Sequence, residues 1–220
     1  MQRMKRFFIS VLAAACLSFP AAAGIFSPGD GDIIFDVRAG INASNLYLSG
    51  PAARGLLGNR TVGFNVSGNV SFQLAEGFFV LTGLGVESKG SRSSKNPMHG
   101  VQVDYFPIYA TLPLGVSFRP QYTYSTSGFF DIGIYAGYGI GGKWKEPSGL
   151  SFPYFGTAVE NIAQRWDGGV RLGIGAFFGE RFLAGVYYQQ SVFNVANADT
   201  TSQYGKLFNN TISLQVGVIF

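Results

Sequence analysis

The stretch Thr61–Leu74, TVGFNVSGNVSFQL, decides how the chain folds. Val62, Phe64, Val66, Val70, Phe72 and Leu74 fall on one parity, and Thr61, Asn65, Ser67, Asn69, Ser71 and Gln73 on the other. Only a β-strand, whose successive side chains point to opposite faces, has that period. One face is oily and the other carries hydroxyls and amides.

The same alternation recurs outward from this segment. Between Ile33 and Ser44, the residues Ile33, Phe35, Val37, Ala39 and Ile41 oppose Asp36, Arg38, Asn42 and Ser44. Further strands are expected over Phe78–Lys89, Val101–Phe118, Phe129–Ile140, Arg165–Phe178, Phe182–Phe193 and Thr211–Phe220, making eight. The apolar phase of the fourth changes around Pro107, where a bulge is expected. Connections alternate between short ones, such as Ala75-Glu76-Gly77 and Gly179-Glu180-Arg181, and longer segments around 45–60, 90–100, 141–164 and 194–210.

Composition points to a membrane. Of the 220 residues, 47% are hydrophobic, 15% aromatic and only 13% charged, yet no stretch after residue 24 reaches the length of a spanning helix. An even number of antiparallel strands with short turns at one end and long loops at the other is the habit of outer-membrane barrels. In lipid every backbone donor and acceptor must be paired within the protein, so the last strand has to close on the first. The expected fold is an all-β, eight-stranded antiparallel up-and-down transmembrane β-barrel. The alternative is a soluble secreted barrel of the lipocalin kind, with the oily rows turned inward.

Charges bear on that choice. Asp36, Arg38, Glu87, Lys89, Asp131, Asp167 and Arg171 lie opposite the apolar rows, four acids against three bases. In a membrane barrel they line a narrow lumen and are expected to pair as a plug of ions, because an unpaired charge there is costly. Glycines of the same parity, among them Gly83, Gly85, Gly133, Gly137, Gly139, Gly173 and Gly175, are expected to make room for these long side chains. The aromatics Tyr105, Phe106, Tyr109, Phe129, Trp144, Trp166, Phe178, Tyr187 and Tyr188 are expected to ring the membrane interfaces.

The N-terminus reads as a secretory signal peptide over residues 1–23, leaving a barrel domain at 24–220. Arg3, Lys5 and Arg6 precede an apolar run from Phe7, followed by small residues at Ala21 and Ala23. Ala13-Ala14-Ala15-Cys16 lacks the branched residue that a lipoprotein signal carries three positions before its cysteine. Cleavage after Ala23 removes the single Cys16 and three bases, leaving 16 − 3 = 13 Lys and Arg against 12 Asp and Glu. Near neutrality removes the electrostatic case for nucleic acid. The expected location is the outer membrane of a Gram-negative cell, reached by Sec export.

Candidate chemistry is sparse. Gly137–Gly142, GYGIGG, lies within an alternating strand and opens no helix, so it is not a nucleotide loop. His99 is the only histidine; Ser91, Ser93 and Ser94 are near in sequence, and Asp104 is the nearest carboxylate that could orient it. A solvated loop histidine explains it better than a rim lipid hydrolase or acyltransferase does, and no catalytic, cofactor or metal residue is assigned. Arg54, Arg60, Lys89, Arg92, Lys95, Lys143 and Lys145 form a basic collar that could meet lipopolysaccharide phosphates.

Several segments resemble the PorT-like outer-membrane β-barrel proteins of Bacteroidota. These are RAGINASNL from Arg38, LTGLGVESKG from Leu81, YATLPLGVSF from Tyr109, IGIYAGYGIGGK from Ile132, DGGVRLGIGAFF from Asp167 and the final strand. The resemblance implies an integral eight-stranded barrel without implying one activity. The terminal row Ile212, Leu214, Val216, Val218 and Phe220 is similar to the signal read by the barrel-assembly machinery. The expected role is structural or binding, through the outer loops and with a closed lumen; the alternative is a narrow pore for small solutes. No ligand is named by the sequence.

Overall fold

The computed structural model describes residues 33–50, 54–56, 58–93, 102–120, 126–156, 161–179 and 181–220. The expected signal peptide and His99 lie outside them. Eight long strands make up the architecture: β1 (Ile33–Ser49), β2 (Asn59–Ala75), β3 (Phe78–Ser88), β4 (Val103–Phe118), β5 (Thr126–Lys145), β6 (Trp166–Phe178), β7 (Phe182–Ser191) and β8 (Lys206–Ile219). Each pairs antiparallel with its sequence neighbour, and β1 also pairs β8 from Asp36↔Ile219 to Ser49↔Lys206. The sheet therefore closes into an up-and-down barrel with no free long edge, the condition for a sheet in hydrocarbon.

The oily parity faces out. Val66 is 50% exposed while its neighbour Asn65 is 4% exposed, and the same contrast separates Ile132 at 47% from Asp131 at 4%. On β5 the outward row runs from Phe130 to Ile140. Ten steps of ~3.3 Å at a tilt of ~40° give a height of ~25 Å, that of the apolar band of an outer-membrane barrel. At the short-turn end the band is edged by outward Phe72, Phe78, Phe118, Phe178 and Phe182. Gly77 (φ +74°) and Gly179 (φ +60°) supply left-handed positions in the two tight turns there.

Strands run further than their alternation suggested. Residues 45–49, 141–145 and 206–210, read as outer loop from their polar and small side chains, continue β1, β5 and β8 above the band. The inward row persists through them as Leu46, Leu48 and Leu207, all essentially buried, so packing inside the barrel mouth holds what local composition does not. Short strands Arg54–Leu56, Ser91–Ser93 and Ser151–Pro153 pair onto these extensions and their neighbours, and a one-turn helix, α1 (Ala198–Gln203), is capped by the Asn197 side chain.

The irregularity expected at Pro107 sits beside it and on the partner strand. Ile108 pairs Gly141 but Tyr109 pairs Gly139, so Ile140 of β5 is the extra residue. A second interruption falls at Pro113, which has no N–H to donate: the β3–β4 ladder lapses between Thr82↔Leu114 and Gly85↔Thr111. Thr82 Oγ1 donates to the Pro113 carbonyl at 3.0 Å across the gap.

Candidate functional site

The interior of the barrel is filled in four layers, built from the inward parity of every strand. Nearest the short turns lie Ile34, Phe79, Phe129, Phe177, Leu183 and Ile219. Arg119 lies among them, its guanidinium 4.4 Å from the Phe79 ring centroid and 5.1 Å from that of Phe177. It donates to Ser71 Oγ at 2.7 Å and Ser117 Oγ at 3.0 Å. The strand expected over Val101–Phe118 stops one residue short of Arg119. The available signal was parity, since it lies two positions past inward Ser117, just beyond the strand end.

The next layer joins five strands. Arg38 grips Asp36 on its own strand with Nε–Oδ1 at 2.6 Å and Nη2–Oδ2 at 2.8 Å. Its Nη1 donates to the Tyr187 hydroxyl and lies 3.6 Å from Asp131 Oδ2, while Tyr187 donates to the same Asp131 oxygen at 3.1 Å. Asn69 donates to Asp36 at 2.8 Å. Arg171 stacks over the Tyr187 ring at 4.4 Å.

Above it, Lys89 bridges Asp167 at 2.9 Å and Glu87 at 3.1 Å, with its ammonium 4.2 Å from the Tyr135 ring centroid. Asp167 also accepts from Ser191 Oγ at 2.7 Å, from Asn209 at 3.0 Å and from the Gly168 amide at 2.8 Å. Saturating a carboxylate in this way is what makes its burial tolerable.

Of the seven residues singled out in the sequence, the fold thus gathers Asp36, Arg38 and Asp131 into one cluster and Glu87, Lys89 and Asp167 into another. Arg171 joins neither: among the described residues it has no carboxylate partner. It lines a cavity of about 20 Å³ with Asn65, Glu87, Gln189 and Gln215, enough for a water molecule. With Arg119, the described residues put four acids and four bases in the lumen, which balance in number.

An apolar cap closes the loop end. Leu46, Leu48, Val103, Tyr105, Tyr109, Trp144, Tyr154, Phe155, Ile162, Val195 and Leu207 pack together across the mouth. The segment after Ser151–Pro153 folds inward, setting Phe155 edge-on to Tyr109 at 5.3 Å and Tyr154 edge-on to Phe155 at 5.0 Å. Burial pushes the Tyr154 phenol well above its ordinary pKa.

These layers correct the aromatic expectation. Tyr105, Tyr109, Phe129, Trp144 and Tyr187 point into the lumen, where they pack the two caps and give cations a π-face. Phe106, Trp166, Phe178 and Tyr188 do face outward. The inward glycines make room for rings more than for charges: a Cβ at Gly139 would strike Phe155, and one at Gly173 would strike Tyr187.

The basic collar is also redistributed. Lys89 is buried in the lumen, and Arg92 is held by Asp104 at 2.9 and 3.0 Å, which commits the carboxylate nearest in sequence to His99. Arg60 donates to the Ala43 carbonyl and to Asn210 Oδ1, each at 2.7 Å. Lys95 and the Arg54 side chain lie outside the described residues. Lys143 and Lys145 are exposed on the outer rim of β5. Among the described residues, no three His, Cys, Asp or Glu side chains converge as metal ligands.

A family model described as "Outer membrane protein beta-barrel domain" matches residues 27–197. No curated protein matches the chain. Among solved structures, the attachment invasion locus protein Ail of Yersinia pestis, in complex with the heparin analogue sucrose octasulfate, is similar at 16% identity and TM-score 0.45, covering 86% of this chain and 99% of its own. Neisserial surface protein A is similar at 10% identity and TM-score 0.47, covering 84% and 96%. The N-terminal barrel domain of Pseudomonas aeruginosa OprF is similar at 11% identity and TM-score 0.41, covering 87% and 100%.

Proposed function

Because the chain belongs to the outer membrane protein β-barrel domain family and is thereby an integral outer-membrane barrel, we propose that it acts as a closed strut with a structural or binding role at its outer face. One observation carries this reading. The lumen is packed across at both ends, by the Phe79–Phe177–Arg119 layer and by the Tyr154–Phe155 cap, and between them two ion-paired clusters fill it beside Arg171. A sheet wall supplies the rigidity, and the strand extensions above the apolar band supply a platform for contacts.

The finer reading is of PorT-like type, supported by the segments from Arg38, Leu81, Tyr109, Ile132 and Asp167. Residues 1–23 direct Sec export, and the row Ile212, Leu214, Val216, Val218 and Phe220 is what the assembly machinery reads. A non-catalytic role is supported by Asp104, which is occupied by Arg92 rather than available to orient His99.

Planar-bilayer recording tests the closed strut: the full barrel is expected to insert without unit conductance. A second reading, a narrow pore, requires the Phe155 cap to lift. Steady ohmic steps from the unmodified protein establish the pore and overturn the strut.

A further inference from the structure

The outward face of β5 changes character within a few residues. Below is the oily row ending at Tyr138 and Ile140; above, past the extra residue, come Lys143 and Lys145. Tyr138 pairs Trp166 on the last rung of β5 and β6, and their rings meet edge-on at 5.0 Å, Trp166 being 64% exposed. A Tyr–Trp pair at the top of the apolar band marks the height of lipid headgroups.

Arg165 sits in the fork where the two strands part. Its Nη1 donates to the Gly139 carbonyl at 2.7 Å, the Gly139 amide donates back to the Arg165 carbonyl at 2.7 Å, and the guanidinium carbon lies 6.0 Å from the Tyr138 ring and 5.9 Å from the Phe155 ring. Backbone and rings fix the plane of the group. Nε and Nη2 have no partner among the described residues. Arg92, by contrast, is held by Asp104, and Arg60 spends both terminal nitrogens on Ala43 and Asn210. Lys145 lies across from Asp104 and precedes Glu146, so its field is partly cancelled, whereas Lys143 lies across from Phe106.

We propose that this rim of β5 and β6 docks the phosphorylated headgroup of lipid A in the outer leaflet, with Arg165 and Lys143 binding phosphate against the Tyr138–Trp166 shelf. The proposal rests on the outer-membrane reading and adds the chemistry of the lipid it meets. Charge complementarity argues for this occupant: Arg165 and Lys143, without a carboxylate partner among the described residues, stand at headgroup height, where a phosphate can accept from a pre-set guanidinium edge and a snorkelling ammonium.

The test is native mass spectrometry of the full barrel released from micelles doped with lipid A carrying both phosphates, with fully dephosphorylated lipid A, or with phosphatidylglycerol. The doubly phosphorylated form is expected to be retained in preference to the other two. Arg165→Gln with Lys143→Gln is expected to weaken retention about tenfold, Arg165→Lys is expected to fall between, and Lys206→Gln is expected to change it less than about twofold. Equal retention of phosphorylated and dephosphorylated lipid A, equal retention of phosphatidylglycerol, or wild-type retention by the double variant would each overturn the site. Heat-modifiable gel migration of the same samples separates the two levels: its loss in the unmodified protein counts against the barrel reading, not against the site alone.

Discussion

Lys89 Nζ lies 2.9 Å from Asp167 Oδ2, with both side chains wholly sequestered inside the barrel and 78 positions apart in the chain. The ammonium is shared with Glu87 at 3.1 Å, so one base neutralises part of two acids on different strands. Arg38 does the same for Asp36 and Asp131. Such clusters hold opposite walls of the cylinder together, and removing one partner strands the other.

Lys89→Met should therefore lower stability by ~3–5 kcal/mol, the cost of leaving buried charge unpaired. Combining it with Glu87→Gln and Asp167→Asn should restore much of that loss, since an all-neutral cluster has nothing left to strand. Urea unfolding in detergent micelles, followed by heat-modifiable gel migration, reads both. An additive triple variant would contradict the pairing.

Side-chain orientation gives a second expectation. Ile134→Arg, near the middle of the outward row of β5, should cost ~2–4 kcal/mol in a bilayer, whereas the same change at exposed Lys143, above the band, should cost little. Spin labels at positions 65 and 66 offer a direct check, with the Val66 position reporting lipid and the Asn65 position the protein interior. The reverse result would favour a soluble barrel.

The outer cap makes a third. Phe155 occupies the space that a side chain on Gly139 would take, so Gly139→Val should lift the cap without altering the sheet register. A cysteine at Ser191, buried beneath it, should resist a water-soluble maleimide in the otherwise unmodified barrel and react once Gly139→Val or Phe155→Ala is added. Equal reactivity in all three would mean that the mouth is open already.

Arg119 supplies a fourth. Its guanidinium is aligned with both the Phe79 and Phe177 rings while donating to Ser71 and Ser117, a geometry that an ammonium reproduces poorly. Arg119→Lys is expected to lower stability by ~1–2 kcal/mol despite keeping the charge. The same substitution at exposed Arg181 serves as the control and should be neutral within ~0.5 kcal/mol.

Much of this protein could be read from period-two alternation, because the face on which a strand residue lies is fixed locally by the pleat. That is why Val62 and Ile132 could be assigned to one side, and Asn65 and Asp131 to the other, before any tertiary contact was considered. It is also why eight strands could be counted and closure demanded. Inwardness, however, does not say what a residue meets. Register around the closed ring brings Lys89 of the β3 side to Asp167 of β6, leaves Arg171 stacked on Tyr187 beside a small cavity, and carries Arg119 back inside from beyond a strand end. The same closure turns Tyr105, Phe129 and Trp144 into the lumen, where a strand-end aromatic had looked like an interface anchor, and it continues β1, β5 and β8 through segments whose composition resembles loop. The pleat repeats every two residues and needs no partner, whereas pairing across a lumen depends on strands far apart in the chain and on how they are staggered.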